Sequence, residues 1–509
     1  MAIRQALPSL LETTFTDAAL VASTLFLVYL VLRSLYRLSP LHTLHHIPGP
    51  ICSRLSSIPL LYHSYMGDET AWFNRLHRLH GPMIRISPNT VDISDGAALH
   101  DIYVANGGFR KPDIYHNFSP DGHHLALFSE TDPAKRQSRV RAVAGCFASS
   151  SVRAGIGRTL EVATEMAEVL QLAKEKAVVS GKPVDVLGLA RSFAADAASV
   201  NLLKYEWGAL ARCKEMIESG EMDHGLRGEG MLDFYDAFGR YWYLPPAAFK
   251  IVEWMRLRFA DKAVFQTIDT LWTHIDRAVA AVKMEMEKFT GTFPERLLHV
   301  RFSEAETKAQ IADALFAGVE TTGFNVASIV WHLVRRPAAY SRLREEVFAH
   351  DPSQDVRMLP YLGAVVYEGL RISKANPTRF PRVVPAGGWA FGTNVLPAGT
   401  EVSCTPYELH FNSDIYNDPT SFLPERWLDA GEEMRRNWIP FGLGSRRCIA
   451  RELALMEIHY AVYALVKSDA LAGAFCCQRE LELLEWFSVK VVGGRIDLKW
   501  NQVMHKENV

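Results

Sequence analysis

This 509-residue sequence contains no CxxC pair, and of its seven cysteines only Cys476 and Cys477 are adjacent. That spacing excludes a tetrahedral zinc site and a disulfide framework, so reduced thiols are expected. Charge of one sign is also lacking. Lys and Arg number 55 against 57 Asp and Glu, for a formal net charge of -2. Without a global basic field, nucleic acid has no electrostatic claim on the chain, and any docking patch must be local. Internal repeats, low-complexity tracts and interdomain linkers after Pro50 are absent, which argues for one large domain. No GxGxxG fingerprint follows a strand, and Val491-Val492-Gly493-Gly494 does not qualify as one. What is present is apolar material: 48% hydrophobic residues, ample for a large core.

Part of that material is concentrated near the start. Ala18 to Leu32 is an unbroken run of apolar and small hydroxyl residues between Asp17 and Arg33. It is shorter than the ~20 residues of a straight span, but its apolar flanks extend it, and residues 18–38 read as an uncleaved transmembrane anchor. No small-x-small cleavage site follows Leu32, and Arg33, Arg37, His45 and His46 do. By the positive-inside rule residues 1–17 face the lumen and the body stays cytosolic, a single-pass arrangement in contact with membrane lipid. Asn117-Phe118-Ser119 then never meets the glycosylation machinery and reads as an ordinary loop. Pro48-Gly49-Pro50 cannot continue a helix and reads as a stiff hinge within a linker, residues 39–70; the His42, His45, His46 cluster beside it reads as solvated linker rather than a metal site. The catalytic body is expected over 71–509.

Within that body, Pro82–Ile86 and Thr90–Ile93 look strand-like, after which helical patterns dominate. The clearest helix starts at Ser303, which forms a capping box with Glu306, and runs about thirty residues to a stop before Pro337. Its centre breaks local rules. Gly318 and Gly323 each cost ~1 kcal/mol relative to alanine, and Glu320, Thr321 and Thr322 set polar groups among Leu315, Phe316, Phe324 and Val326. Such defects mark candidate sites.

The most informative stretch is Phe441-Gly442-Leu443-Gly444-Ser445-Arg446-Arg447-Cys448-Ile449-Ala450. Gly442 and Gly444 let the backbone approach a flat cofactor and aim N–H groups at the Cys448 sulfur; Phe441 shields that sulfur, and a helix beginning near Ile449 directs its positive end at a thiolate. A buried, inert cysteine behind a turn is the competing reading. The decapeptide resembles the haem-binding loop of the cytochrome P-450 family, except that Ala450 stands where the family has glycine, which implies altered tuning rather than loss of the cofactor.

Other motifs fall in the family's order. Ala317-Gly318-Val319-Glu320-Thr321-Thr322 is similar to its oxygen-activation segment, with Gly318 clearing space, Thr321 offering a hydroxyl and Glu320 relaying protons through water; back-bonded threonines and a solvated Glu320 are the alternative. Glu368-Gly369-Leu370-Arg371 resembles the ExxR motif, and Phe422-Leu423-Pro424-Glu425-Arg426-Trp427 its partner, implying a buried structural triad of Glu368, Arg371 and Arg426. The resemblance also implies that Arg446 and Arg382 pair with haem propionates. In the helix around Lys135–Arg141 the family's aromatic-to-arginine spacing would fall on Arg136 and Val140, so Arg136 is the candidate cation there, with Arg139 or Arg141 facing a reductase.

Taken over most of the chain, the resemblance implies a mainly α fold with small β-sheets, one large helical domain preceded by an N-terminal transmembrane helix in the endoplasmic reticulum. It implies haem b held by Cys448, and a monooxygenase that takes dioxygen and electrons from an NADPH-cytochrome P-450 reductase docking near Arg435, Arg436, Arg447 and Arg451. The expected substrate is a small apolar organic molecule of fungal specialised metabolism, enclosed by 107–128, 223–249 and 377–380. A haem-thiolate isomerase or dehydratase, or a non-enzymatic haem sensor, are the alternatives.

Overall fold

Ser303 begins the element around which the rest is arranged. Its hydroxyl accepts the Glu306 N–H at 3.2 Å, while the Glu306 carboxylate accepts the Ser303 N–H at 3.1 Å. From this capping box the helix Glu304–Arg335 runs 32 residues. At 1.5 Å per residue it is about 48 Å long, enough to cross the whole domain. It ends just before Pro337, where a backbone donor is lost. The computed structural model describes residues 3–220, 239–260 and 262–501.

Against the long helix lies Val186–Leu202, buried on every side and therefore a true interior helix. Asp185 caps it, accepting from Leu187 and Gly188 N–H groups at 3.1 and 3.2 Å. The two helices approach so closely at Gly323 that a Cβ there would sit 2.8 Å from Arg191 Cα. Gly323 is thus a packing residue. Helices Ile156–Ser180, Pro360–Ile372 and Arg451–Lys467 complete the layer.

The strands form small sheets, as expected for a mainly α chain. The largest has four strands in the order Met83–Ser87, Thr90–Ile93, Glu401–Ser403, Arg382–Val383. Thr90–Ile93 pairs in parallel with Glu401–Ser403, Val91 opposite Val402, and Arg382 lies across from Val402. An early segment and a late one are thereby fused, and the sheet edge carries Arg382 into the interior.

Within the hinge and linker, 39–70, the His cluster departs at His42 from the solvated linker expected of it. Leu44, Ile47 and Leu60 are fully buried. Pro48 accepts the Arg85 N–H at 2.7 Å, and a Cβ on Gly49 would lie 2.3 Å from the Arg85 carbonyl. Residues beyond Pro50 form helices Ile51–Leu55 and Ile58–Met66. His42 is buried as well: its Nδ1 accepts from Leu44, its Nε2 lies 3.2 Å from the Arg85 guanidinium, and burial together with that cation lowers its pKa. Among the described residues no cluster of three or more His, Cys, Asp or Glu side chains that could hold a metal ion is assembled. Asn117 is likewise no ordinary loop residue, since its amide donates to the Trp242 and Leu244 carbonyls at 2.9 and 2.8 Å.

The N-terminal helix Ile3–Leu38 contains the one stretch among the described residues, Leu20–Leu38, that is long and apolar enough to cross a membrane. No residue of that stretch is buried; only near its end does it touch the body, where Arg37 donates to the Leu55 carbonyl.

Candidate active site

The loop before helix Arg451–Lys467 is wound by its own backbone. Cys448 donates its N–H to the Phe441 carbonyl at 2.8 Å, and Gly442 to Ile439 at 3.0 Å. The Gly442 N–H is therefore spent within the loop and does not point at the sulfur, contrary to expectation. The N–H that does face the thiol is that of Ala450, which opposes the upward push of burial on the Cys448 pKa. Gly444 is required, but by protein rather than by a flat ligand. Its φ is +64°, and a Cβ would fall 1.8 Å from the Tyr103 carbonyl. Phe441 packs half-buried beside the loop, with the Arg451 guanidinium 5.9 Å from its ring centre.

Cys448 is open on one side, where it borders a cavity of about 320 Å³. At one end of that cavity stand four cations. Arg446 donates to the Glu130 and Thr131 carbonyls at 2.5 and 3.1 Å, Arg136 to Ser445 at 2.8 Å, Arg382 to Pro381 at 2.9 Å and Lys111 to Phe128 at 2.8 Å. None of the four has a carboxylate within ion-pair distance among the described residues. Burial and mutual repulsion lower the Arg446 pKa to about 10 and push the Lys111 ammonium well below its usual range. Buried cations left uncompensated are costly, so the cluster fits a dianionic group such as the two propionates of haem. Arg136 thus reaches the cavity although the spacing around it is broken. Arg139 does not face outward: it pairs with Glu130 at 2.6 Å, half-buried. Lys111 escaped sequence reasoning because Arg110-Lys111-Pro112 carries no motif, and nothing local marks its ammonium as turned inward.

Across the cavity lies the centre of the long helix, where Ala317, Gly318, Glu320, Thr321 and Asn325 line the wall. Thr321 Oγ1 donates to the Ala317 carbonyl at 2.7 Å, the back-bonded arrangement. Gly318 differs from expectation. A Cβ added to it would meet Ala198 Cβ at 3.6 Å, an ordinary contact with the neighbouring helix, so Gly318 borders the cavity but its own missing side chain faces that helix. Glu320 is not solvated; its carboxylate accepts from Arg191 at 2.6 Å in a buried ion pair that the close approach at Gly323 makes possible. Asn325 went unnoticed in the sequence. It donates to the Thr321 carbonyl at 2.7 Å and accepts from Ser373 at 2.6 Å, tying the helix to the loop that follows Pro360–Ile372.

Behind the cavity wall, which Arg371 reaches, Glu368, Arg371 and Arg426 come together as the motifs implied. Glu368 Oε1 accepts from Arg371, Arg426 and Leu423 N–H groups at 2.8, 3.2 and 2.9 Å, and Oε2 from Arg371 and the Trp427 indole at 2.9 and 2.8 Å. Arg371 spends its remaining donors on the His410, Pro419 and Ser421 carbonyls. Of the expected walls, Tyr115, Phe118, Phe128, Pro377 and Phe380 border the main cavity; residues 223–238 lie outside the described residues. Phe487, a wall residue from near the C-terminus, was missed.

The model of the Cytochrome P450 family matches residues 56–468. The chain belongs to the cytochrome P450 family. It is 35% identical over 492 residues to the cytochrome P450 monooxygenase mfmF of Annulohypoxylon moriforme, covering 93% of this chain and 98% of that protein. The fusicoccadiene C-8 hydroxylase of Alternaria brassicicola is 27% identical over 89% of this chain and 91% of its own length. Pisatin demethylase of Fusarium vanettenii is 26% identical over 84% and 85% respectively. This P450 is accordingly a haem-binding oxidoreductase of the fungal monooxygenase type.

Proposed function

We propose that this P450 oxidises a small, largely apolar specialised metabolite (a terpenoid, a polyketide or a polyketide-amino acid hybrid) with dioxygen and electrons from an NADPH-cytochrome P-450 reductase. The observation that carries this reading is the placing of Cys448 opposite Ala317 and Thr321, across a cavity that ends in four cations with no carboxylate partner among the described residues. Haem b would be held there by the Cys448 sulfur, with Arg446, Arg382 and Arg136, joined by Lys111, meeting its propionates. Once bound, haem supplies the redox-active iron that uses dioxygen to place an oxygen atom in the substrate.

The chain's own groups do the rest. The Ala450 N–H stabilises negative charge on sulfur, and Phe441 keeps water from it. Thr321 presents a hydroxyl at the wall, held by Ala317, from which a proton can pass inward. Glu320 relays protons only when its carboxylate leaves Arg191, so that ion pair gates the route. Glu368, Arg371 and Arg426 hold the fold around the cysteine loop. The exposed Arg435, Arg436 and Arg447 and the half-buried Arg451 offer the reductase a basic face, partly offset by Glu433 and Glu452.

Anchoring in the endoplasmic reticulum membrane belongs to the same reading. The N-terminal helix leads through Ile51–Leu55 to Ile58–Met66, which touches Gly239–Tyr241 just ahead of helix Pro246–Arg258. Along this path Ile58, Tyr62, Ile251 and Trp254 are exposed, as suits contact with lipid.

The deciding experiment is the absorption spectrum of the reduced protein with carbon monoxide. A band typical of thiolate ligation is expected, and Cys448→Ala should abolish it; an unchanged band in that variant would remove Cys448 as the ligand. NADPH and dioxygen consumption coupled to product separates a monooxygenase from an isomerase or a haem sensor.

A further inference from the structure

Off the main cavity opens a smaller one of about 40 Å³, and Phe118, Asp313 and Phe316 line both. Since about 10–15 Å³ on this measure holds one water, it has room for roughly three water-sized groups, the size of a small polar head group. The side chain of Asn117 at its rim is already spent on two carbonyls. Two carboxylates are not spent. Asp313 Oδ2 accepts the Phe128 N–H at 3.2 Å, while its Oδ1 and the half-buried Glu253 have no hydrogen-bond partner among the described residues. Lys111 acts on Asp313 and Lys250 on Glu253 only from beyond ion-pair distance. Burial raises the pKa of both, with Asp313 held at about 6. Aromatic rings of Phe118, Trp242, Phe249 and Phe316 make up most of the remaining wall.

An unpaired buried carboxylate such as Asp313 is costly, and a cation between it and the half-buried Glu253 would offset that cost. Aromatic faces attract the same charge. We infer that the substrate carries a basic nitrogen, held as its ammonium between Asp313 and Glu253, while its apolar body lies along the long helix towards Cys448. This rests on the monooxygenase reading and names the substrate class for that same site. Asp313, Ala317 and Thr321 follow one another at one-turn spacing along a single helix face, and all three line the main cavity. Eight residues separate Asp313 from Thr321, about 12 Å along the axis. The carbon that is oxidised therefore lies on the order of 10 Å from the nitrogen, not beside it. Asp313 is a specificity-determining residue here. Lys111, inside the same cavity, is the competing anchor and would favour an anionic substrate instead.

The test is an absorption titration of the full-length, haem-loaded protein at about pH 7 with dodecylamine, which is protonated there, and with dodecanoate, which is ionised. Dodecylamine should bind about tenfold tighter. Its Soret band should move to the blue, as when an alkyl tail displaces water from the iron. Asp313→Asn should weaken the amine about tenfold and leave both dodecanoate binding and the carbon monoxide band unchanged. Equal or tighter binding of dodecanoate would overturn the inference in favour of Lys111. So would a red shift with the amine, which reports nitrogen on iron. Should Asp313→Asn lose haem, Glu253→Gln decides, because Glu253 borders only the smaller cavity; unaltered amine affinity in that variant defeats the proposal. Absence of the thiolate band from the unmodified protein would defeat the monooxygenase reading instead, and the two failures are distinct.

Discussion

Two clusters of buried charge sit in this protein, and they are opposites. Around Glu368 every oxygen and nearly every guanidinium nitrogen has a partner, and carboxylate, two arginines, an indole and backbone carbonyls form a complete set. At the cavity end, Arg136, Arg382, Arg446 and Lys111 face one another, hydrogen-bonded to carbonyl oxygens and flanked by the Tyr103, Tyr115 and Phe128 rings, with no carboxylate in ion-pair contact among the described residues. The first cluster is finished by folding. The second is finished only by a ligand. A self-satisfied buried network signals architecture, whereas an unsatisfied one signals something still to be bound.

That contrast can be broken most forcefully at Glu368. Glu368→Gln leaves two buried arginines facing a neutral amide and should cost about 3–5 kcal/mol, read as a lower denaturation midpoint and loss of folded protein with or without haem. Arg446→Ala should behave in the opposite way. Haem retention should fall by about 2 kcal/mol, roughly thirtyfold, in a haem-transfer assay, while the haem-free chain, relieved of one repelling charge, unfolds no more easily. Equal losses in both forms would make the cavity cluster architectural after all.

A third buried group sharpens the rule. Burial raises the pKa of Glu457 to about 8, with one carboxyl oxygen unpartnered. A folded-state pKa above the unfolded value means that its contribution is whole below about pH 4.5 and is lost as pH rises through about 8. Denaturation midpoints at pH 6 and pH 9 should therefore diverge more in the native protein than in Glu457→Gln. The smallest effect is expected at Gly318. Its extra methyl meets Ala198 at ordinary contact, so Gly318→Ala should raise stability by up to about 1 kcal/mol and retain haem.

Much of the site was legible because it is written in short spacings. The cysteine loop, the ExxR pair, the Ser303 capping box and the Ala317–Thr321 segment each lie within one turn or loop. What escaped joins residues far apart in the chain. Arg191 and Glu320 are 129 positions apart, Ser373 and Asn325 are 48 apart, and no local pattern brings either pair together. Gly444 was singled out for the wrong neighbour for the same reason: the Tyr103 carbonyl that forbids a side chain there belongs to a remote turn. Lys111 and Arg139 show the limit for charge, since sequence does not reveal which of several basic residues turns inward.

The four-stranded sheet has a consequence in time. Asp92 on one of its inner strands is bonded to Ser403, 311 positions later. At roughly 5–20 residues per second of synthesis, the strand Thr90–Ile93 waits about 15–60 s for its parallel partner. Arg382, delivered by the same sheet, arrives in that last interval, so the pocket end that takes the anion is assembled only when translation is nearly over. A nascent chain stalled before residue 400 should therefore carry much of the helical core yet be unable to hold haem.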